Sequence, residues 1–402
     1  MTSGPDEPFG IYLHWPFCAA KCPYCDFNSH VRAGIDETAF GAALIAELEF
    51  FRALSPSRTV SSVFFGGGTP SLMAPQTVER VLDAIAAKWR LARDIEITLE
   101  ANPTSVEADR FRGFHGAGIN RVSIGVQSLV ERDLARLGRT HNVAEALDAI
   151  ATAATRFGRI SFDLIYGRMG QSVAMWHDEL SRALAFAPDH LSAYQLTIEP
   201  ATPFFALHEA GKLRLPGERV GRALLEVTHD LCAAGGLPAY EVSNFARPGA
   251  ECRHNLTYWR YHDYIGVGPG AHGRLSVDGG KYAFVTVRDP ERWQAQVVSN
   301  GNGIAEQHQL DREQQADELL LMGLRLAEGI DLDRLDALGA ALDAVEARTL
   351  SGAGLIAFDR TLGRVRVAPK GWPVLDAIIA RLAGGAGAGR PDEAETAVPA
   401  SP

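Results

Sequence analysis

Short apolar segments alternate with longer amphipathic ones in the first half of the chain, and this alternation restricts the fold more than any other feature. The apolar segments are Gly10–His14, Ser62–Phe65, Ile95–Glu100, Arg121–Val126, Ile160–Ile165 and Leu191–Thr197. Their length and β-branched content predict buried strands, and stretches such as Thr38–Phe51 and Val173–Phe186 have helical spacing. Alternating strands and helices predict parallel strands joined by right-handed crossovers. The pattern therefore predicts an α/β fold, either a doubly wound sheet or a barrel.

The length of the chain predicts more than one domain, because 402 residues exceed what one α/β domain normally contains. The alternation ends near residue 205 and is followed by a glycine-rich loop at Gly266–Gly273. From Asp311 onward, helical segments and a two-stranded hairpin resemble a winged-helix module. We expect an α/β domain at 1–205, a connecting region at 206–310, a winged-helix-like α+β domain at 311–383 and a disordered tail at 384–402.

The composition is that of a globular protein, with 46% apolar and 22% charged residues. A net charge of −10 argues against a nucleic-acid-binding protein that neutralises phosphates. No segment has the run of about 18 apolar residues that a transmembrane helix needs. The first residues, Met1–Pro8, lack the features of a signal peptide. We expect a cytoplasmic protein without a transmembrane segment, and the sequence leaves peripheral membrane contact open.

Three of the five cysteines, Cys18, Cys22 and Cys25, follow the first predicted strand closely. In a reducing compartment such a cluster is typical of a metal site rather than of disulfides. Three thiolates can bind three irons of a [4Fe–4S] cluster and leave the fourth iron open to another ligand. His30 could instead complete a Cys3His zinc site, as in a zinc-stabilised interaction protein. The residues alone leave both metals open.

The spacing C-x3-C-x2-C, with Tyr24 before the third cysteine, resembles the signature of the radical S-adenosylmethionine family. The resemblance extends over residues 8–205 and implies a partial (β/α)6 barrel. It also implies that the three cysteines bind one [4Fe–4S] cluster. The amino and carboxylate groups of S-adenosylmethionine are then expected to bind the remaining iron.

The same resemblance implies which residues contact S-adenosylmethionine. The turn Gly66–Pro70 after the second strand resembles the methionine-binding motif of the family, and glycine allows close backbone approach to a ligand. Arg139 is expected to face the cofactor carboxylate, which its planar donors suit. The full set of implied contacts is Tyr12, Tyr24, Gly67, Gly68, Thr69, Glu100, Gln127, Arg139, Asp163, Thr197 and Ala271. Without the resemblance, the polar members of this set would be expected to have structural or surface roles.

Three further segments, Tyr12–Cys18, Asp163–Gly167 and Leu196–Pro200, resemble the branch that includes oxygen-independent coproporphyrinogen III oxidase. That oxidase has a fourth cysteine two residues after the third, whereas this chain has Phe27. The departure makes the chain similar to HemW-type haem chaperones, which keep the cluster and are thought to hand haem to acceptor proteins. The resemblance thus implies a haem chaperone, and the oxidase-type radical enzyme remains the alternative. No catalytic residue is assigned.

The segment His254-Asn255-Leu-Thr-Tyr258, preceded by Cys252, resembles the HNxxY signature of the chaperones. Imidazole and thiolate are both axial ligands of haem iron, so His254 and Cys252 are candidate ligands. Asn255 is expected to orient the loop and Tyr258 to contact a propionate. Alternatively, His254 and Asn255 only stabilise a turn. The expected partners are haem and a haem-acceptor protein, with respiratory haem proteins as one class, and a homodimer is left open.

Overall fold

The structure is a computed structural model that describes residues 7–32 and 34–383, with the backbone alone at 105–109. The tail predicted to be disordered, 384–402, lies outside the described residues. None of the described helices combines the length and the apolar character needed to cross a membrane.

The strands are, in chain order, β1 (Phe9–Trp15), β2 (Phe17–Cys18), β3 (His30–Val31), β4 (Thr59–Gly67), β5 (Arg90–Ala101), β6 (Arg121–Gln127), β7 (Arg159–Tyr166), β8 (His190–Gln195), β9 (Asn244–Ala246), β10 (Tyr264–Val267), β11 (His272–Val277), β12 (Gly280–Thr286), β13 (Ile304–Leu310), β14 (Ile330–Asp331), β15 (Ile356–Asp359) and β16 (Arg364–Val367).

The α-helices are α1 (Glu37–Leu54), α2 (Pro75–Lys88), α3 (Ser105–Gly116), α4 (Glu131–Arg136), α5 (Val143–Arg156), α6 (Val173–Leu184), α7 (Pro203–Glu209), α8 (Glu218–Ala234), α9 (Arg253–Trp259), α10 (Pro290–Asn300), α11 (Arg312–Gly323), α12 (Leu332–Ala337), α13 (Ala344–Gly352) and α14 (Leu375–Ala383). Two short 3-10 helices span Pro70–Leu72 and Pro369–Val374.

The central sheet has the strand order β13-β12-β11-β10-β1-β4-β5-β6-β7-β8-β9. Six neighbouring strands, from β1 through β4 to β8, pair in parallel. These are the six strands predicted from the alternation, although β8 ends at Gln195, two residues before the predicted end. The predicted α/β fold with a central parallel sheet is therefore confirmed. The sheet is open, with β13 and β9 at its edges.

The region 206–310 extends this sheet at both edges. β9 pairs antiparallel with β8, and β10 pairs parallel with β1 before β11, β12 and β13 continue in antiparallel order. Ile265 and Val267 of β10 are fully buried in the same hydrophobic core as β1. The sequence suggested only a connecting region here, since its strands are short and their pairing depends on distant partners. The domain limits themselves stay a prediction.

A second hydrophobic core forms where α11, α12, α13 and α14 pack around the small sheet β14-β16-β15. Its residues run from Ala316 to Leu382, with Tyr261 added from the loop before β10. The hairpin of β15 and β16 closes antiparallel, from Ile356 opposite Val367 to Asp359 opposite Arg364. A separate core with its own sheet confirms a separate C-terminal domain.

One buried carboxylate fixes the sheet extension to the first helix. Glu47 of α1 accepts hydrogen bonds from the backbone N–H groups of Gly268 (2.8 Å) and Gly303 (2.7 Å) and from Trp293 Nε1 (3.0 Å). Burial raises the pKa of Glu47 to about 7, although the hydrogen bonds from the three donors act to lower it. Each carboxylate oxygen accepts a backbone N–H, so the site requires an acceptor at both positions.

We expect Glu47→Gln to destabilise the fold by about 1–3 kcal/mol, because its amide NH2 must face one of those N–H donors. Thermal or chemical unfolding measures the change. Glu49→Gln on the same helix is the matched control, since Glu49 is exposed. Equal stability of Glu47→Gln and the control would contradict this role for Glu47.

Candidate functional site

A cavity of about 580 Å³ opens at the carboxyl ends of the parallel strands. This volume is typical of a small-molecule or cofactor site. Parallel strands place the loops that follow them at a common edge, and ligands usually bind there. The walls come from the loop after β2, the ends of β4 to β8, and α9.

The three clustered cysteines, Cys18, Cys22 and Cys25, all line this cavity and are half-buried. Thr69 Oγ1 donates to Cys18 Sγ over 3.4 Å, and Arg139 Nη1 donates to Cys22 Sγ over 3.5 Å. Burial raises the pKa values of Cys18 and Cys25, which a bound iron centre would offset by stabilising the thiolates. The donor set therefore fits a thiolate-bound cluster.

The zinc alternative finds less support in the geometry. Across residues 7–32 and 34–383, no three His, Cys, Asp or Glu side chains converge closely enough to bind a single metal ion. His30, the candidate fourth ligand, places Nε2 3.1 Å from Asn28 Oδ1. His30 therefore has a contact within the loop that zinc ligation through Nε2 would replace.

The glycine turn after β4 passes close to the cysteine loop. Gly67 has φ +112°, a conformation that favours glycine, and a Cβ on Gly68 would lie 2.8 Å from the carbonyl oxygen of Phe17. The N–H of Gly67 donates to Glu100 Oε2, and those of Gly68 and Thr69 donate to the carbonyls of Trp15 and Phe17. Main-chain contacts from Gly67–Thr69 to a ligand must therefore come from carbonyl oxygens.

Two buried carboxyl groups, Glu100 and Asp163, lie on the cavity wall. Burial and the nearby Asp163 raise the pKa of Glu100 to about 8. Burial raises the pKa of Asp163 to about 6, opposed by hydrogen bonds from Ser192 and Ser123. Near neutral pH, Glu100 therefore retains its proton and can donate as well as accept a hydrogen bond.

Arg139 and Gln127 were both predicted to contact the cofactor, and both line the cavity. Arg139 Nη2 donates to the Gly125 carbonyl (2.9 Å) and to Asn102 Oδ1, so its observed partners belong to the protein. Gln127 has φ +66°, and its buried Oε1 has no partner among the described residues. An unpaired buried acceptor in a cavity wall fits a ligand that brings a donor. The expected contact of Arg139 with a cofactor carboxylate stays a prediction.

Tyr24 and Thr197 also line the cavity, whereas Tyr12 and Ala271 do not. Tyr12 is buried with its hydroxyl 3.0 Å from His14 Nδ1. Ala271 packs in the same small apolar cluster as Tyr12 and Phe64. These two residues therefore support the cavity wall from behind in this structure.

The HNxxY segment forms the short helix α9, which the structure brings to the same cavity. Cys252, Asn255 and Tyr258 line it, and Asn255 Nδ2 donates to the Tyr240 hydroxyl over 3.1 Å. Burial raises the pKa of Cys252 to about 12, so this side chain remains a thiol near neutral pH. The candidate cluster residues and three of the four candidate haem residues, distant in sequence, thus share one cavity.

His254 itself does not line the cavity. Its ring stacks on Phe64, with centroids 5.1 Å apart, and on Tyr12, with centroids 6.0 Å apart. Nδ1 lies 3.3 Å from Ser62 Oγ, and burial lowers the pKa of His254 to about 3. The imidazole is therefore neutral, and it can reach a ligand in the cavity only if the ring leaves this stack.

The cavity also contains residues that were not predicted to line it, and Arg121, Tyr194 and Arg325 are among them. Arg121 did carry a signal, since it is a charged residue at the start of a segment predicted to be a buried strand. Arg325 follows the end of α11, and its position at the cavity depends on how the C-terminal domain packs. No local pattern could have predicted that packing.

Known sequence families match the two parts of the chain. The Radical SAM superfamily matches residues 12–182, and the HemN C-terminal domain matches residues 310–374. A parallel sheet with a three-cysteine loop and a glycine turn at its carboxyl edge defines the same class as the first match.

Relatives with long alignments extend these matches. "Radical S-adenosyl methionine domain-containing protein 1, mitochondrial" of Bos taurus is 39% identical over 402 residues, covering 95% of this chain and 90% of that protein. The heme chaperone HemW of Escherichia coli (strain K12) is 44% identical over 282 residues, covering 69% of this chain and 73% of that protein. HemW of Mycobacterium tuberculosis (strain ATCC 25618 / H37Rv) is 36% identical over 384 residues, or 94% and 96%.

Among solved structures, coproporphyrinogen III oxidase (HemN) from Escherichia coli matches with a TM-score of 0.79 at 22% identity, covering 95% of this chain and 91% of that one. This match shows a shared fold. The chain belongs to the radical S-adenosylmethionine superfamily, in the branch that contains the HemW proteins. Membership implies a [4Fe–4S] cluster and S-adenosylmethionine. The cytoplasmic location stays a prediction, since the Bos taurus relative is named as mitochondrial.

The raised pKa values of Glu100 and Asp163 predict how stability depends on pH. The folded chain keeps the proton of Glu100 up to about pH 8, whereas an ordinary glutamate releases it near 4.5. The free energy of unfolding should therefore fall as pH rises from about 5 to 8, by at most about 1.4 kcal/mol per pH unit for each group.

Melting temperatures at pH 5.5 and 8 test this, and Glu100→Gln should show a smaller decrease than the wild type. Glu79→Gln, at an exposed position of α2, is the control and should keep the wild-type decrease. An identical pH dependence in Glu100→Gln and the wild type would exclude Glu100 as the source.

Proposed function

We propose that this protein is a haem chaperone on a radical S-adenosylmethionine scaffold, which binds haem and delivers it to an acceptor protein. The observation that carries the proposal is the 36% identity over 384 residues to a HemW chaperone, which spans 96% of that relative. The position of α9 on the wall of the cysteine cavity supports it, because one cavity then joins both sets of candidate residues.

In this proposal Cys18, Cys22 and Cys25 bind three irons of a [4Fe–4S] cluster. When bound, the cluster supplies an open iron site for S-adenosylmethionine and an electron for its reductive chemistry. The chain itself contributes the hydrogen bonds from Thr69 and Arg139 to cysteine sulfurs. Groups that hydrogen-bond a ligating sulfur orient it and tune the iron centre.

The chain would hold S-adenosylmethionine through the cavity wall. Carbonyl oxygens of Gly67–Thr69 suit its amino group, and the unpaired Oε1 of Gln127 suits a further donor. Glu100 and Asp163, with raised pKa values, can hydrogen-bond polar groups without placing two full negative charges in the cavity at neutral pH. Tyr24 in the cysteine loop and Thr197 after β8 also line the cavity.

Replacing Cys22 with alanine should abolish the cluster while the chain stays folded, since Cys22 is half-buried in a surface loop. Iron and sulfide analysis after anaerobic reconstitution, with the visible absorbance spectrum, measures the loss. Cys232→Ala is the control, because Cys232 is buried in α8 and lies outside the cavity. Normal iron and sulfide content in Cys22→Ala would disprove the assignment.

For haem, we propose contacts from Asn255, Tyr258 and Cys252 on the cavity wall and axial ligation by His254. The low pKa of His254 keeps its imidazole neutral, which is the form that binds metals. Ligation requires its ring to leave the stack with Phe64 and Tyr12. In this proposal, haem binding therefore requires the rings of His254, Phe64 and Tyr12 to rearrange.

The alternative, oxidase-type decarboxylation of coproporphyrinogen III, is disfavoured by Phe27. This side chain lines the cavity and is 37% exposed, at the position where the oxidase has its fourth cysteine. A phenyl ring provides neither a thiol donor nor a metal ligand. Chemistry that needs a thiol at this position should therefore fail in this chain.

Titrating the cluster-loaded protein with haem should show saturable binding. The absorbance spectrum of the bound haem should change in His254→Phe. Phenylalanine can fill the stack against Phe64 while removing the imidazole, so the variant should fold. His177→Phe, at an exposed position of α6, is the control.

An unchanged haem spectrum and affinity in His254→Phe would remove His254 from this role. Conversion of coproporphyrinogen III to protoporphyrinogen IX by the wild type, with S-adenosylmethionine and a reductant present, would overturn the chaperone proposal in favour of the oxidase.

A further inference from the structure

Arg325 lies at the end of the cavity beside the C-terminal domain, and the protein provides few close acceptors for its guanidinium. Arg325 Nη2 lies 3.6 Å from Glu241 Oε2, beyond hydrogen-bond distance, and its Cζ lies 4.6 Å from the centroid of Trp259. Its buried Nε has no acceptor among the described residues. A guanidinium has five N–H donors in a planar fork that matches a carboxylate. Arg325 therefore retains unused capacity for an anionic partner.

A second arginine, Arg121, also lines the cavity and makes few hydrogen bonds. It is 2% exposed, and its one described side-chain hydrogen bond is a long one, 3.4 Å from Nη1 to Thr98 Oγ1. Its Nε also has no acceptor in the described part of the chain. Burial lowers the pKa of Arg121, but the nearby Cys252, Glu96 and Asp163 raise it overall, so carboxylates lie close to the guanidinium although its hydrogen-bonding capacity is largely unused.

Other polar groups at this end are also unsatisfied. Trp259 Nε1, Asn244 Oδ1 and Glu241 Oε2 are buried without hydrogen-bond partners among the described residues, and all three residues line the cavity. Each is more than nine-tenths buried. Buried polar atoms are nearly always paired in native proteins, so this concentration indicates a site completed by a ligand. We call Glu241, Trp259 and Arg325 the arginine end of the cavity.

The wall next to the arginine end is aromatic. Tyr258 packs against Trp259 with ring centroids 4.8 Å apart, and Phe64 lines the same cavity. The ligand that fits is therefore flat and apolar over most of its surface and carries carboxylates at one edge. Haem, with a planar macrocycle and two propionates on one side, has this chemistry.

We propose that the arginine end receives the propionate carboxylates of haem, with Arg325 as the principal contact. The inference rests on the proposed function, since it specifies how haem would be held. Glu241 competes with the propionate for Arg325 in this arrangement. Its Oε1 is already fixed by the Ser243 N–H and the Asn244 side chain, which keeps the carboxylate beside the guanidinium in the absence of ligand.

The test compares haem with its dimethyl ester, which keeps the macrocycle and iron but has no carboxylate charge. The full-length, cluster-loaded protein is titrated anaerobically with each compound. The wild type should bind haem at least about tenfold more tightly than the ester, because a charge-assisted contact to a carboxylate is lost. This ratio requires no variant and is therefore independent of folding defects.

Arg325→Gln should weaken haem binding about tenfold and leave ester binding unchanged, whereas Arg325→Lys should recover part of the loss. Glu241→Gln should strengthen haem binding, because it removes the competing charge and retains an acceptor oxygen. Arg292→Gln, on the exposed face of α10, controls for a general change in net charge.

Equal affinity of the wild type for haem and its ester, or an equal effect of Arg325→Gln on both, overturns the inference while leaving the chaperone proposal intact. Absence of binding of either compound to the wild type overturns the chaperone proposal and the inference with it.

Discussion

Six strands of the central sheet, β1 and β4 to β8, pair in parallel. The rest of the structure depends on this pairing. Because parallel strands all end at one edge, the residues after β2, β4, β5, β6 and β8 meet around one cavity although they are spread over more than a hundred positions. Loss of the register between β4 and β5, where Phe65 lies opposite Leu99, would separate the glycine turn from Glu100. The site is therefore a consequence of the sheet.

The same rule explains which site residues the sequence could predict. Cys18, Glu100, Gln127 and Asp163 all lie on or beside strand ends, and each of them lines the cavity. His254 was expected at the site and lies behind Phe64, because its place is decided by ring packing between β1, β4 and α9. Sequence spacing carries no information on such packing between distant segments. For the same reason, the sequence did not predict that the region 206–310 extends the sheet. β9 and β10 are short, and only their pairing with β8 and β1 identifies them as strands.

The charged groups of the cavity are of two kinds, carboxyl groups and guanidinium groups, and the cost of burial is compensated differently in each. Burial raises the pKa of Glu100 to about 8 and that of Asp163 to about 6, so near neutral pH Glu100 keeps its proton whereas Asp163 is mostly ionised. Arginine has no such option, because a guanidinium stays charged at any pH that a folded protein tolerates. Arg121 is balanced by the nearby carboxylates of Glu96 and Asp163, whereas Arg325, which is 25% exposed, has Glu241 at 3.6 Å. The two groups thus make the cavity suited to a ligand that is polar at the cysteine side and anionic at the other.

The helix that carries the HNxxY segment is fixed to the same strand that ends in Glu100. Glu96 of β5 accepts the N–H of Arg253 at 2.9 Å and faces the Cys252 thiol at 3.5 Å, while its other oxygen pairs with Arg159 of β7. Glu96 and Glu100 are four residues apart on one strand, so the backbone that positions the glycine turn also positions α9. Because α9 is anchored at its amino end, any release of His254 from its stack must occur by movement of the side chains of His254 and Phe64, with the helix start held in place. The helix with the HNxxY segment and the cysteine side of the cavity are thereby connected through one strand.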